Sequence, residues 1–373
     1  MEARARVAAG RFPQAVGSRM TLGVARPRIA LTMGDVAGIG PEVIARVWGP
    51  QLLQICEPVV VGHPIVMARA AGLVNPKLSV VELEGIAEGE ATATQIPCWN
   101  PGDSEAADVP PGRNDARAGR AAYEYLRAAC WAAQAGAIDA ITTAPLSKAA
   151  LHLAELHYPG HTEILAELCG VRDFAMQLFL PRNAPPAGSE TPQSPAALSC
   201  DGLGVAHVTL HTSIASVPGL LSTERIAATG RLLGQFLRRV GYATPRLGVC
   251  ALNPHAGEEG LFGDEESRLI APAVKRLQQE GWQAHGPFPA DTLLKRAWEG
   301  EFDGVVAMYH DQGHIALKLL GFDRAVNVTL GLPIVRTSPS HGTAFDIAWR
   351  GVARGDGLWG AIQIAAALVR TAG

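Results

Sequence analysis

Three histidines lie just beyond apolar segments of the chain, where a side chain suits a site better than a core. They are His211 in VTLHTS, His255 in NPHAGEEG and His310 in MYHDQGH. Neutral imidazole is the commonest metal ligand in proteins, and three imidazoles leave coordination positions open for a substrate. The residues therefore predict a divalent metal ion that takes part in catalysis.

The choice among neighbouring histidines stays open at this level. His207 and His211 share the segment VAHVTLH, and at a separation of four they would face the same side of one strand. His310 and His314 would share one face of a helix that follows a strand. Either member of each pair satisfies the pattern.

Three residues downstream of the histidines could bind an anion. Lys318 offers a point charge, Asn327 a neutral donor and Arg336 a planar fork that matches phosphate or carboxylate. Arg336 lies in the apolar segment LPIVRTS, where an unpaired charge would be costly. A metal next to an anion clamp predicts chemistry on an anionic, oxygen-rich substrate.

The composition narrows the class of protein. A chain of 373 residues is long enough for two domains, its net charge of −3 gives no basic field for nucleic acid, and its six cysteines form no CxxC pair. No apolar run reaches the length of a membrane helix, so we expect a cytoplasmic protein with reduced thiols and no membrane partner. Residues 1–27 are rich in arginine and are predicted to be a disordered leader, with Met20 as an alternative start.

Strands and helices alternate along the chain, which predicts an α/β fold with a largely parallel sheet. Ligands of such sheets bind beyond the carboxyl ends of strands, where the histidines fall. Residues 90–114 are predicted to be a surface loop, and residues 182–203, rich in Pro, Ser and Ala, a mobile insertion at a hairpin tip. Strands are predicted at 28–33, 58–63, 78–83, 138–144, 174–180, 205–211, 247–252 and 303–309, and helices at 40–48, 117–136, from 147, 223–240, 264–280 and 357–371.

Several blocks, in order along the chain, resemble the 4-hydroxythreonine-4-phosphate dehydrogenase family. They are GDVAGIGPE (34–42), TTAPLSK (142–148), YPGHTE (158–163), ALNPHAGEEG (251–260), GPFPADT (286–292), MYHDQGH (308–314), VNVTLGLPIVRTS (326–338) and HGTAFDIA (341–348). The resemblance implies a two-domain α/β/α fold like that of isocitrate and isopropylmalate dehydrogenases. It also implies a homodimer whose active site lies in the interdomain cleft and is completed by the partner subunit. The expected domains are 28–145 with 320–373 on the cofactor side, and 146–319 for dimerisation and metal binding.

The resemblance also assigns roles to residues. It implies His211, His255 and His310 as metal ligands. It implies substrate contacts from His161, Thr162, Lys318, Asn327 and Arg336. HGTAFDIA looks like the nicotinamide-cofactor loop, in which Gly342 would allow close backbone approach beside His341, and Asp346 could bind ribose hydroxyls and so favour NAD over NADP.

The implied reaction is oxidation of 4-phosphohydroxy-L-threonine to 2-amino-3-oxo-4-phosphobutanoate, followed by decarboxylation, in pyridoxal phosphate synthesis. The alternative is a dehydrogenase of threonate or erythronate 4-phosphate, which DQGHI with His314 resembles more closely. A non-catalytic binding protein of the same fold is the remaining class.

Two residues are candidates for moving the proton. They are Lys148, at a helix start, and Asp291 in PADT, although Asp291 could equally cap the helix expected from Thr292. Ligation by histidine alone favours zinc, with cobalt or nickel next and magnesium or manganese only with water ligands.

Overall fold

The computed structural model describes residues 26–102, 104–182 and 201–370. Most of the predicted leader and most of the predicted insertion lie outside the described residues. None of the described helices is long and apolar enough to cross a membrane.

The described residues form twelve strands. They are β1 (Arg28–Thr32), β2 (Glu57–Val61), β3 (Ser79–Leu83), β4 (Gln95–Trp99), β5 (Ala140–Thr143), β6 (Ala175–Pro181), β7 (Gly202–His207), β8 (Arg246–Cys250), β9 (Gln283–Phe288), β10 (Gly304–Ala307), β11 (Val326–Leu330) and β12 (Val335–Pro339).

Twelve α-helices within the described ranges alternate with the strands. They are α1 (Gly40–Val47), α2 (Pro50–Ile55), α3 (Pro64–Val74), α4 (Ala116–Gln134), α5 (Lys148–Leu153), α6 (His161–Leu168), α7 (Val217–Leu220), α8 (Thr223–Arg239), α9 (Ala271–Gln279), α10 (Ala290–Trp298), α11 (His310–Gly321) and α12 (Asp356–Arg370). Short 3-10 turns occupy Ser104–Asp108, Ile214–Ser216 and Pro254–Gly260, and a π-helical turn, Glu266–Ile270, precedes α9.

All twelve strands join one sheet in the order β3-β4-β2-β1-β5-β12-β11-β6-β7-β10-β8-β9. Pairing is parallel except across β12–β11, β11–β6 and β6–β7. Because three antiparallel pairings separate the two parallel groups, those groups run in opposite directions. The predicted α/β class with a largely parallel sheet is confirmed, whereas the predicted domain boundaries stay a prediction.

Helix α12 packs against both halves of the sheet. Its residues Ile362, Ala365 and Ala366 lie in the core of the β1–β5 half. Ile364 and Leu368, on another face of the helix, lie in the core beneath α8 and α9. A third core lies under α10 and α11, on the other face of the second half. Burying an aliphatic side chain contributes about 1.5–3 kcal/mol, so α12 stabilises both halves of the sheet together.

Two sequence predictions about this framework were wrong. The stretch 90–114 is not all loop, because β4 lies within it and pairs with β3 and β2; its Pro97 and polar flanks hid the strand. The strand predicted at 205–211 ends at His207, after which the hydroxyl of Thr209 donates to Met308 O at 2.8 Å and the chain turns. His207 and His211 therefore do not share one strand.

Candidate active site

Arg336 is buried in the middle of the sheet, with 2% of its surface exposed. Its guanidinium donates to Thr329 Oγ1 at 3.0 Å and to Thr143 Oγ1 at 2.7 Å, and its buried Nε finds no partner within the described chain. Burial lowers the pKa of Arg336 to about 10, although the charge of Glu163 opposes that effect. A buried cation held mainly by neutral hydroxyls is costly, and a bound anion would remove that cost.

Two more buried polar atoms near Arg336 lack partners among the described residues. They are Asn327 Oδ1 and Glu163 Oε2. Asn327 pairs with Ser338, two residues beyond Arg336 on β12, so both side chains lie on the same face of the sheet. Because nearly all buried polar groups in proteins are hydrogen-bonded, these free donors and acceptors indicate a polar ligand.

The first turn of α6 also lies near Arg336. Thr162 is 5% exposed, and its hydroxyl lies 3.4 Å from that of Thr329. Burial and the nearby charge of Arg336 hold the pKa of His161 well below its usual value, against a hydrogen bond with Ala144, so its ring is neutral near pH 7. The structure therefore brings His161, Thr162, Asn327 and Arg336 together, as predicted substrate contacts would be.

Four histidines form a cluster at the end of β7 and the start of α11. His310 and His314 stack with ring centroids 3.7 Å apart, and His207 lies 4.6 Å from His314. The ring of His211 is 5.8 Å from that of His310. The sequence left the choice within each pair open, and the fold places all four rings in one group.

Hydrogen bonds fix the tautomers of His207 and His314, the inner pair of the cluster. His207 Nδ1 lies 3.1 Å from Met176 O, which can only accept, so His207 Nδ1 is the donor and its Nε2 carries a lone pair. His314 Nδ1 donates to that Nε2 at 3.1 Å. Burial lowers the pKa of His207 to about 4 and, with the charges of His207, His310 and Lys318, that of His314 to about 2. Both rings are therefore neutral near pH 7.

His211 and His310, the outer pair of the cluster, each have a carboxylate near Nδ1, an arrangement that suits metal binding. His310 Nδ1 lies 2.7 Å from Asp311 Oδ1, and His211 Nδ1 lies 3.6 Å from Glu163 Oε1. Burial opposes ionisation of Glu163, but bonds from His211 and from backbone outweigh it and lower the pKa of this carboxyl. A carboxylate on Nδ1 orients the ring and leaves Nε2 to bind the metal, which is the usual arrangement around zinc-ligating histidines.

Of the three predicted metal ligands, the described chain brings His211 and His310 together but not His255. No group of three His, Cys, Asp or Glu side chains among the described residues is arranged to hold a metal ion. The order β7-β10-β8 nevertheless places the segments after three adjacent parallel strands side by side, and these segments carry His211, His310 and His255. His255 is exposed, and its nearest ring is Phe262, at 6.3 Å.

The turn that carries His255 has an unusual backbone. His255, Ala256, Gly257, Glu258 and Glu259 all have φ between 45° and 82°, so they form a left-handed turn. Each non-glycine residue in that region costs about 1–2 kcal/mol, and such strain persists only where surrounding contacts enforce it.

The two predicted lysines lie near members of this group, Lys148 near Glu163 and Lys318 near His314. Lys148 is within 4.0 Å of the position a Cβ on Gly160 would occupy, as is Glu163, and its charge acts on Glu163. Lys318 lies two turns beyond His310 on α11, with its ammonium 5.3 Å from the Phe322 ring.

Asp291 is not the cap of α10. Pro289 occupies the N-cap, because the helix begins at Ala290, and Asp291 accepts from Thr292 N at 2.9 Å. The predicted capping role is therefore wrong, and Asp291 has no described contact with the histidine cluster or Arg336.

The predicted cofactor loop packs against the segment 34–42. Thr343 O accepts from Ile39 N at 3.0 Å, and a Cβ on Gly38 would come within 2.9 Å of that oxygen, which explains this glycine. His341 Nδ1 donates to Gly342 O at 3.1 Å. Gly342 and Asp346 are exposed, and a Cβ on Gly342 would meet nothing within 4 Å, so open space lies above this backbone.

Two buried carboxyl groups that sequence reasoning did not single out lie in the segment 34–42, and one of them, Glu42, binds the backbone just after this loop. Glu42 is fully buried and accepts from Trp349 N and, at 2.8 Å, from Gly351 N. Asp35 is also buried, accepts from Ala37 N at 2.9 Å, and leaves its Oδ2 without a described partner. Burial raises the pKa of Asp35 to about 6, although its bond from Ala37 opposes that effect. Both lie inside GDVAGIGPE, the block whose glycines alone attract notice in the sequence.

A buried arginine and unpartnered polar groups close to a histidine cluster, in an α/β sheet, are typical of an enzyme that acts on an anionic substrate. Residues 54–365 match the family model described as pyridoxal phosphate biosynthetic protein PdxA, and the chain belongs to that family.

Named relatives are similar over nearly the whole chain. The D-threonate 4-phosphate dehydrogenase of Salmonella typhimurium is 42% identical over 90% of this chain and 97% of its own length. The 4-hydroxythreonine-4-phosphate dehydrogenase of Geobacter metallireducens is 44% identical over 93% of this chain and 97% of its own. A crystal structure of 4-hydroxythreonine-4-phosphate dehydrogenase from Klebsiella pneumoniae, 42% identical, superposes with a TM-score of 0.78 over 92% of this chain and 99% of that one. The predicted family and the prediction of an oxidoreductase are confirmed, whereas the individual site residues stay predictions.

Proposed function

We propose that the protein oxidises a phosphorylated four-carbon hydroxy acid, with a nicotinamide cofactor and a divalent metal. The observation that carries the proposal is the buried Arg336, whose Nε has no described partner and which lies on the same face of the sheet as the unpartnered Asn327 Oδ1. A phosphate or carboxylate would accept from that guanidinium, and a substrate hydroxyl would donate to the amide oxygen. Lys318, on the helix that carries His310, adds a second positive charge for the substrate.

Charge balance favours one of the two substrates suggested by the relatives. Arg336 and Lys318 supply two positive charges, and the two acidic side chains of the proposed site, Glu163 and Asp311, each already interact with a histidine. D-threonate 4-phosphate carries a hydroxyl where 4-phosphohydroxy-L-threonine carries an ammonium. Because an ammonium would add a third positive charge, we place D-threonate 4-phosphate ahead of the aminated substrate.

The chain's own residues would hold the metal and move the proton. His211 and His310 would bind the metal through Nε2, with Glu163 and Asp311 orienting the rings, and this donor set favours zinc. A metal held there would stabilise negative charge on the substrate oxygen, and the nicotinamide would take the hydride. Lys148, which has contacts in the site that Asp291 lacks, would accept the hydroxyl proton.

We propose that His255 reaches this site from the second subunit of a homodimer. Exposed apolar side chains flank both segments concerned: Leu261 is 72% and Phe262 49% exposed after His255, and Ile315 is 59% and Leu319 83% exposed after His310. Apolar surface of this kind is typical of a contact with another chain. A contact there would cover these side chains and bring His255 to the metal.

The cofactor would lie along residues 341–346. The open space above Gly342 would admit the part of the cofactor that lies against the protein backbone, and the exposed Asp346 could accept hydrogen bonds from the ribose hydroxyls. A carboxylate at that position disfavours the 2′-phosphate of NADP, so we propose NAD.

Parallel turnover assays test the proposal. The purified protein, loaded with zinc, would be given D-threonate 4-phosphate or 4-phosphohydroxy-L-threonine with NAD. A kcat/KM ratio above about tenfold, equivalent to about 1.4 kcal/mol in the barrier, decides between the two substrates. If neither acid supports NAD reduction although the protein binds metal tightly, the result would instead indicate a non-catalytic binding protein.

A further inference from the structure

The left-handed turn that carries His255 runs over one buried carboxyl group, that of Glu266. Glu266 is 6% exposed, and its Oε2 lies 2.8 Å from the position a Cβ on Gly257 would occupy, at the centre of the turn. A left-handed turn of this kind does not hold itself, because most of its residues are not glycine. Its conformation must therefore be enforced by what it packs against.

Glu266 fixes the start of that turn through three hydrogen bonds. Its Oε1 accepts from Leu252 N at 2.9 Å and from Asn253 N at 2.8 Å. Its Oε2 accepts from the side-chain amide of Asn253 at 3.1 Å. The two backbone bonds orient the chain directly before His255, two residues beyond Asn253.

The helix that supplies Glu266 is irregular at that point. Residues Glu266–Ile270 form a π-helical turn before α9 continues. Such turns are rare and occur frequently at functional sites. Here the irregular turn begins with the residue whose carboxyl group reaches under the His255 segment.

We propose that Glu266 is a positioning residue for His255, holding the left-handed turn in the one conformation that presents the imidazole to the metal. This inference rests on the proposed role of His255 as a metal ligand. It adds that the presentation of His255 is built into each folded chain before metal binds. Residues that orient metal ligands typically change metal affinity by about 10–100-fold when removed.

The adjacent Glu265 provides a matched control. Its Oε2 accepts from the same Asn253 amide at 2.7 Å, but it has no described hydrogen bond to the backbone of the turn. Glu266→Ala removes all three bonds to the turn. Glu266→Gln retains an oxygen for the two backbone donors and loses the third acceptor, so it should give an intermediate effect and keep the fold.

The experiment measures cobalt(II) binding to the metal-free, full-length protein and the absorption spectrum of bound cobalt. We expect Glu266→Ala to weaken cobalt binding about 10–100-fold and to change the spectrum toward that of His255→Ala. Glu266→Gln should lie between, and Glu265→Ala within about threefold of the wild type. In metal-free protein, hydrogen exchange of the amides of Leu252 and Asn253 should accelerate in Glu266→Ala while the core strands stay protected.

The outcomes separate this inference from the proposed function. If His255→Ala binds cobalt like the wild type, the assignment of His255 fails and this inference falls with it. If His255→Ala is impaired but Glu266→Ala and Glu266→Gln bind cobalt normally with unchanged spectra, only the positioning role is overturned. An equal loss in the Glu265 and Glu266 variants would also overturn it, because the effect would then not follow from the backbone bonds.

Discussion

Arg336 donates to Thr143 across the pairing of β12 with β5, at 2.7 Å, and this bond fixes the position of one guanidinium nitrogen in the middle of the sheet. The partner is a hydroxyl and not a carboxylate. The positive charge is therefore left available to a ligand, and the folded protein bears the cost of burying it.

Replacing Arg336 should separate binding from stability. Arg336→Lys keeps a charge without the fork, and Arg336→Met keeps only apolar bulk, so we expect KM for the phosphorylated acid to rise at least about tenfold in both. Because burial holds the pKa of Arg336 near 10, removing the charge should raise the melting temperature of the ligand-free Arg336→Met protein. Steady-state kinetics, zinc content and thermal unfolding measure the three effects, with zinc content unchanged. A wild-type KM in Arg336→Met would refute the role of Arg336 in binding the anion.

Mixing two inactive variants should restore activity if His255 acts across the dimer. His211→Ala and His255→Ala damage different subunits of one shared site, so a mixed dimer keeps one intact site of its two. Random exchange makes half of the dimers mixed, which gives about a quarter of wild-type activity. The measurement is turnover after co-refolding equal amounts. Activity that stays at the level of either variant alone would assign all three histidines to one chain.

Asp35→Asn should stabilise the protein only at higher pH. The pKa of Asp35 is raised to about 6 in the folded state, above 3.8, so the folded state favours the protonated form. Its contribution to stability is present below the unfolded pKa and is lost as pH rises through about 6, which costs about 3 kcal/mol at pH 8. Urea unfolding at pH 8 should show a gain for the isosteric Asn variant that vanishes near pH 4. The same difference at both pH values would contradict the assigned ionisation.

Glu42→Gln should weaken cofactor binding more than substrate binding. Its carboxyl accepts from the backbone of Trp349 and Gly351, and the amide would set a donor against one of them. Because these bonds hold the end of the loop that contains Gly342 and Asp346, we expect KM for NAD to rise several-fold to tenfold. KM for the acid should change less than twofold. Initial-rate kinetics with each substrate varied in turn provide the measurement, and equal changes in both constants would point to general unfolding of the region.

The sequence predicted most of this architecture because most elements have a plain pattern. Buried strands such as Arg28–Thr32 and Ala140–Thr143 are short apolar runs, and α4 has alanines at helical spacing. The strand β4 was missed because Pro97 argues against a strand in any local reading. Its place between β3 and β2 is a consequence of tertiary pairing.

The residue types of the site could be predicted from the sequence, but not which of these residues the fold brings together. Arg336 was singled out because an unpaired cation in an apolar strand is costly, and the structure shows that Arg336 is indeed buried. Glu163 was not, because it sits in a helix where a solvated side chain is the ordinary expectation, and His314 was only an alternative to His310. Only the fold shows that Glu163 faces His211 and that His314 stacks on His310.

The handedness of the turn at residues 255–259 limits which sequences can occupy it. L-amino acids with a branched Cβ are the least tolerant of positive φ, whereas glycine and asparagine accept it readily. If positions 256, 258 and 259 are randomised and variants are selected for growth, we therefore expect only a few residue types there, mainly small residues and residues with an amide side chain. This restriction is expected even though two of these side chains are exposed to solvent. Tolerance at a surface position is here governed by backbone stereochemistry and not by accessibility.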